Sequence, residues 1–129
     1  MPYFKLEYSA NIKEKVDLKK LFSSCHDILV NTINADLSKC VSRAISYDNF
    51  HVGSGQSNKA FIYLEISLLE GRLLPKLQEM GEQILKLLES YFTNSIKDLN
   101  TQISVRVVEF SSSHYFRTTS LPLAEVSNN

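Results

Sequence analysis

The chain has no excess of charge of either sign: among its 129 residues, 14 Lys and Arg stand against 14 Asp and Glu. That balance argues against a nucleic-acid surface built on bulk positive charge, while leaving room for a local basic pocket. Cysteine is scarce. Cys25 and Cys40 show no C-x-x-C spacing, and His26, His51 and His114 show no metal-ligand spacing. Both thiols read as reduced and structural, as in a cytosolic chain. No run of about 18 apolar residues occurs, nor a basic leader followed by an apolar stretch. The expectation is a soluble cytoplasmic protein with no nucleic-acid partner and no membrane partner. What is present is a globular composition, 43% hydrophobic and 22% charged, which fits one domain over 1–129.

Residues 2–9 alternate, with Tyr3, Phe4, Leu6 and Tyr8 supplying β-favouring bulk, and predict a strand. Asp17 caps a predicted helix whose buried stripe is Leu18, Leu21, Phe22, Cys25, Ile28 and Leu29. Lys13, Glu14, Lys15, Lys19 and Lys20 read as its solvated face. A second strand is expected over 41–50, a glycine-bearing loop over 51–58 and a third strand over 59–69. A long helix starts near Leu73 with Pro75 in its first turn, and buries Leu77, Met80, Ile84, Leu87, Leu88 and Tyr91. Gly81 within it suggests close packing on a sheet. A fourth strand is expected over 103–110. The Ser/Thr/Asn-rich tail, 111–129, is expected to be loosely ordered unless a neighbouring subunit holds it.

The order is β-α-β, loop, β-α-β, and a faint repeat supports the division into 2–50 and 59–110. Leu6-Glu7-Tyr8-Ser9 matches Leu64-Glu65-Ile66-Ser67, and Ser42-Arg43-Ala44-Ile45 resembles Val105-Arg106-Val107-Val108. Two such units predict an α+β fold, a four-stranded sheet, parallel within each unit, with both helices on one face. The other face carries Tyr, Phe and Ile residues with no helix left to cover it. Such a face favours association, and a homotrimer packing three sheets around an axis buries all of them.

By its position alone Pro2 reads as an ordinary second residue, but it is also a candidate for chemistry. Processing commonly removes a Met that precedes Pro, leaving a secondary amine on a rigid ring. A strand beginning at that residue holds the amine in place, because Pro is tolerated at a strand's first position. In the repeat Pro2 aligns with Ala60, so each subunit has one end that can carry such an amine.

The opening MPYFKLEYSANI, the stretch SRAISYDNFHVGSG and the stretch AFIYLEISLLEGRLLPKLQEMGEQIL resemble, in order and spacing, the 5-carboxymethyl-2-hydroxymuconate delta-isomerase family of the tautomerase superfamily. Pro2 directly after Met1, the SRA segment and the Gly71-Arg72 pair carry the likeness, which runs over about residues 2–110. The resemblance implies a tautomerase-like trimer with an amino-terminal proline as acid/base and no metal or organic cofactor. It implies as substrate a small unsaturated, multiply carboxylated enol from the breakdown of aromatic acids such as homoprotocatechuate. It makes Arg43 and Arg72 the candidates for gripping substrate carboxylates. Val41 stands where some relatives carry a basic residue, and Leu73 where a polar residue commonly follows the Gly-Arg pair.

Moving a proton from an enol oxygen to a carbon needs one group that takes and gives a proton near neutral pH. A free α-amino group has a pKa of about 7.7–8.0, and both burial and neighbouring guanidinium groups lower it. Tyr3, Phe4, Phe50 and Phe61 are aromatics available as pocket walls. Taken alone, Arg43 reads equally as a solvated strand residue. Arg72 sits near the positive end of a helix dipole, a local conflict of the kind found at functional sites. His51 and Tyr47 read as satisfied or solvated, and Glu7 and Glu65 as ion-pair or interface residues. Two alternatives stand beside the isomerase: a tautomerase acting on other enol or keto acids, such as arylpyruvates, and a non-catalytic oligomeric binding protein on the same scaffold.

Overall fold

Extended chain gives way to helix where Asp17 turns its carboxylate onto the N–H of Lys20 at 3.2 Å. The structure, a computed structural model, describes residues 2–120. Its elements are β1 (Tyr3–Ser9), α1 (Leu18–Ile33), a 3-10 turn at Leu37–Lys39, β2 (Val41–Tyr47) and β3 (Lys59–Leu69). They are followed by α2 (Leu74–Tyr91), α3 (Thr93–Asp98), β4 (Asn100–Phe110) and a second 3-10 turn at Ser112–His114. Helix α1 buries Leu21, Cys25, Leu29 and Ile33 at helical spacing and ends at Asn34, whose φ of 56° is left-handed. Helix α2 has no side-chain cap, carries Pro75 in its first turn, and buries Leu77, Met80, Ile84 and Leu88.

The four strands lie in the order β2-β1-β3-β4. Strands β1 and β2 are parallel, as are β3 and β4, and the two units meet through the antiparallel pair β1–β3. This is the expected pair of β-α-β units. Leu6 lies opposite Leu64, so the first repeat match sits on the pseudo-two-fold axis. The second match is out of step. Leu6 pairs with Ala44 and Leu64 with Val105, which makes Ala44 and Val105 equivalent, whereas the sequence match sets Ala44 against Val107.

Period-2 alternation assigns the faces. Phe4 and Leu6 of β1 and Ala60, Ile62, Leu64, Ile66 and Leu68 of β3 are buried under the helices in one cluster with the stripes of α1 and α2. On the other face, not covered by any helix among the described residues, the register sets Arg43, Lys5, Glu65 and Arg106 side by side in one row. That face holds Tyr3, Ile45, Phe61 and Tyr63 as expected, but charges run through its middle.

Other expectations also change. Strand β2 ends at Tyr47, not Phe50, and β4 starts at Asn100, not Ile103. Gly81 is not a close contact: a Cβ placed there meets nothing within 4 Å. Glu14 lies before α1 rather than on its face, and its carboxylate accepts from the backbone N–H groups of Asn94 (2.6 Å) and Ser95 (3.1 Å) at the start of α3. The tail begins by folding back, with the Tyr115 ring on Phe110 (5.3 Å between centroids) and its hydroxyl 3.4 Å from that of Tyr3. Residues 121–129 of the expected tail lie outside the described residues.

Candidate active site

The site is built where β1 and β2 begin and β3 ends. Pro2 is buried, and its carbonyl accepts from the N–H of Val41 at 3.0 Å, which ties the start of the chain to the start of β2. In the antiparallel pair Tyr3 faces Ser67. One step further along that register, Pro2 falls opposite Leu68 at the end of β3. The Nη1 of Arg72 donates to the carbonyl of Leu69 at 3.2 Å. The guanidinium is thereby folded back towards the end of the sheet at which the Pro2 nitrogen lies. Gly71 makes this reversal with a φ of 119°, a conformation that a side chain disfavours. Pro2 and Arg72 therefore share one end of the molecule.

Arg43 is placed differently. It pairs with Lys5, three residues beyond Pro2 on β1, about 10 Å along the strand at the usual rise per residue. Alternation sets it on the uncovered face, whereas Pro2 falls in line with Phe4 and Leu6 on the helix side. Arg43 is exposed and has no hydrogen-bond or ion-pair partner among the described residues. Within one protomer, then, Arg72 lies at the same end of the sheet as Pro2, and Arg43 lies further along on the other face.

The aromatic candidates divide as well. Tyr3 stays at the Pro2 end, whereas Phe4 is fully buried in the core. Phe50 and Phe61 pack edge to face at 6.1 Å, and Phe61 N–H donates to Ser9 Oγ at 3.0 Å, at the opposite end of β1. Tyr47 donates to Glu7 Oε2 at 2.6 Å. Glu65 accepts from Tyr63 at 2.9 Å and lies 3.7 Å from Lys5 Nζ, an ion pair of the kind expected. His51 borders a cavity of about 480 Å³ on the uncovered face with Glu7 and Tyr63.

Two neighbours of the site escaped sequence reasoning. Cys40 precedes the Val41 that binds Pro2, and its Sγ donates to the carbonyl of Asp36 at 3.6 Å; burial pushes its thiol pKa up. Lys76, one turn beyond Arg72, lines the same cleft as Arg72 and Asn34, a cavity of about 320 Å³. Nothing in the sequence separates it from any other helix charge; only the turn between β3 and α2 does. Among the described residues no group of three or more His, Cys, Asp or Glu is placed to hold a metal ion. Among them, too, no helix is long and apolar enough to cross a membrane.

The family model for 5-carboxymethyl-2-hydroxymuconate isomerase matches residues 2–122. The chain belongs to that family. It is accordingly an isomerase of tautomerase-like fold. The 5-carboxymethyl-2-hydroxymuconate Delta-isomerase of Escherichia coli is 28% identical over 109 residues, covering 84% of this chain and 86% of the relative. A solved 5-carboxymethyl-2-hydroxymuconate isomerase from Deinococcus radiodurans R1 superposes with a TM-score of 0.84 at 20% identity, over 92% of this chain and 90% of that one. A fused 4-OT wild-type symmetric trimer gives a TM-score of 0.71 at 13% identity, over 96% and 98% of the two chains, a likeness of fold.

Proposed function

We propose that the chain is a cofactor-independent, cytoplasmic isomerase that moves a proton in 5-carboxymethyl-2-hydroxymuconate, with the Pro2 amine as acid/base once Met1 is removed. The observation that carries this reading is the Arg72 guanidinium, folded back onto Leu69 at the end of the sheet where the Pro2 nitrogen lies. Met1 itself lies outside the described residues.

The chemistry balances without an oxidant. The amine takes the enol hydroxyl proton, the oxygen lone pair becomes the C=O bond, and the conjugated double bonds shift. The distal carbon takes a proton back from the prolyl ammonium, so the enol becomes an unsaturated keto acid. A free α-amino group titrates at about 7.7–8.0, and the guanidinium and the buried position both favour the neutral base. Arg72 donates to a substrate carboxylate while negative charge spreads through the conjugated system, and stabilises that charge. The strand pairing to Val41 holds the nitrogen still, so that orientation is settled before substrate arrives.

The working unit in this reading is a homotrimer closed through the uncovered face. Arg43, on the edge strand β2 and without a partner among the described residues of its own protomer, is then offered to the site of a neighbouring subunit. One observation favours a second reading, a tautomerase of less charged enols such as arylpyruvates: Leu73, directly after Arg72, is 71% exposed and presents apolar surface beside the cation.

The test compares two preparations of the protein, one with Met1 removed and one with Met1 retained, each verified by intact mass, in an ultraviolet assay on the hydroxymuconate. The processed form is expected to turn over and the other not. Equal activity of the two rules out the amine as the acid/base.

A further inference from the structure

We infer that Lys76 is a second anion-binding residue of this site, seating a substrate carboxylate that lies on an arm away from the reacting carbons. The inference rests on the reading of Pro2 and Arg72 above and concerns the outer side of Arg72. The cavity there, about 320 Å³, is walled by Thr32, Ile33 and Asn34 from the end of α1 and by Arg72, Leu73 and Lys76 from the start of α2. Its walls come from helix ends and not from long loops, so the space is held by the core beneath it. Two cations line it, and among the described residues no carboxylate does. Like charges facing one cleft repel, and an anion placed between them relieves that repulsion while gaining two donors.

Lys76 is paired elsewhere only weakly. Its ammonium lies 3.6 Å from Glu79 Oε2, a pair three residues apart on α2 with side chains 57% and 48% exposed. An exposed pair of this kind contributes little and gives way to a better partner. Arg72 uses one nitrogen on the Leu69 carbonyl and keeps the other donors of its planar fork for a ligand. The two cations also differ in kind. Arg72, tied to the end of β3, suits a carboxylate of fixed orientation on the conjugated system, whereas Lys76 is a mobile point charge suited to a flexible arm. Leu73 adds an apolar rim over which the hydrocarbon part of that arm can lie. The substrate class is therefore an enol with one carboxylate on the conjugated frame and another on a side arm.

Processed wild type, Lys76→Ala and Lys76→Arg are to be assayed on 5-carboxymethyl-2-hydroxymuconate and on 2-hydroxymuconate, which lacks the carboxymethyl arm. For Lys76→Ala the expected result is a KM raised about tenfold on the first substrate, the low end for losing a charge-assisted hydrogen bond. Its kcat should stay within about twofold, its kinetics on the second substrate should not change, and Lys76→Arg should restore the KM. An equal effect on both substrates, or a loss confined to kcat, overturns the assignment. Calorimetric binding of tricarballylate, set against glutarate, separates this inference from the reading it rests on. Absence of turnover by processed wild type defeats the isomerase reading. Tricarballylate binding that is absent in wild type, or undiminished in Lys76→Ala, defeats the Lys76 site.

Discussion

Replacing Glu14 with Ala is expected to destabilise the protein by about 3 kcal/mol without touching the Pro2 end. Glu14 Oε2 accepts from Asn94 N–H at 2.6 Å and Ser95 N–H at 3.1 Å, and Oε1 accepts from the Ser95 hydroxyl at 2.5 Å. Helix α3 has no side-chain cap of its own, so this carboxylate is its cap. Ser95 is fully buried, and its Oγ also accepts from Lys13 N–H at 2.8 Å. The substitution leaves two amides without an acceptor and a buried hydroxyl without a place for its proton. Hydrogen bonds to a charged group contribute about 1.5–3 kcal/mol each, but bonds sharing one carboxylate do not add, and water reaches the exposed Asn94. About 3 kcal/mol remains. At an unfolding entropy of about 2.1 cal/mol/K per residue, that lowers Tm by roughly 11 °C. Calorimetry at matched protein concentration reads it, because association also moves Tm. Glu14→Gln, which keeps an acceptor but not the charge, should lose about half as much. A Tm within about 3 °C of wild type for Glu14→Ala would mean that water serves α3 as well as the carboxylate does, and the reasoning would fail.

His26 Nε2 lies 2.5 Å from Ser42 Oγ, and burial holds its pKa below the usual 6.5, against a smaller opposing effect of Asp27. The unfolded chain then takes up a proton as pH falls through about 6.5 while the folded one stays neutral to lower pH, so this contribution is present above that pH and is lost below it. The urea midpoint of wild type should fall more between about pH 7.5 and 5.5 than that of His26→Gln; parallel titrations would contradict it. Burial pushes the Cys25 thiol up to about 12. A thiol-specific disulfide reagent should therefore find at most Cys40 in the native protein and both thiols in urea, and rapid native modification of Cys25 would refute its placement.

The sequence carried the periodic parts well and the non-local parts badly. Strand β3 over 59–69 and the Asp17 cap follow from alternation and local capping chemistry, which need no knowledge of tertiary contacts. Helix α3 was missed because TNSIKD is short and its cap comes from Glu14, 80 residues away. The same fact explains why Glu14 was mistaken for a solvated helix charge. The positions of Pro2 and Arg72, the first residue before a strand and the turn into a helix, were legible from the chain alone. The place of Arg43 was not, since which face it occupies depends on the pairing of Tyr3 with Val41 and hence on register. The uncovered face illustrates the same limit. Its aromatic content could be read strand by strand, but the row Arg43–Lys5–Glu65–Arg106 exists only once four strands are aligned.

The pseudo-symmetry shows how the two equivalent ends of the sheet differ. Leu6 and Leu64 mark the axis, so the start of β1 at Pro2 corresponds to the start of β3 at Ala60. The turn from β3 into α2 is short and delivers Arg72 back towards the Pro2 end, leaving a cleft beside it. Its counterpart, from β1 into α1, is longer and spends its polar residues on closure. Asn11 Nδ2 donates to the Lys59 carbonyl at 2.8 Å, Ser9 Oγ accepts from Phe61, and Glu14 caps α3. Ala60 is fully buried there and offers no ionisable group. The same β-α-β unit thus once turns Arg72 back towards the end of the sheet that holds Pro2, and once seals the far end. The residues that decide between the two uses lie in the strand-to-helix turns, not in the shared core.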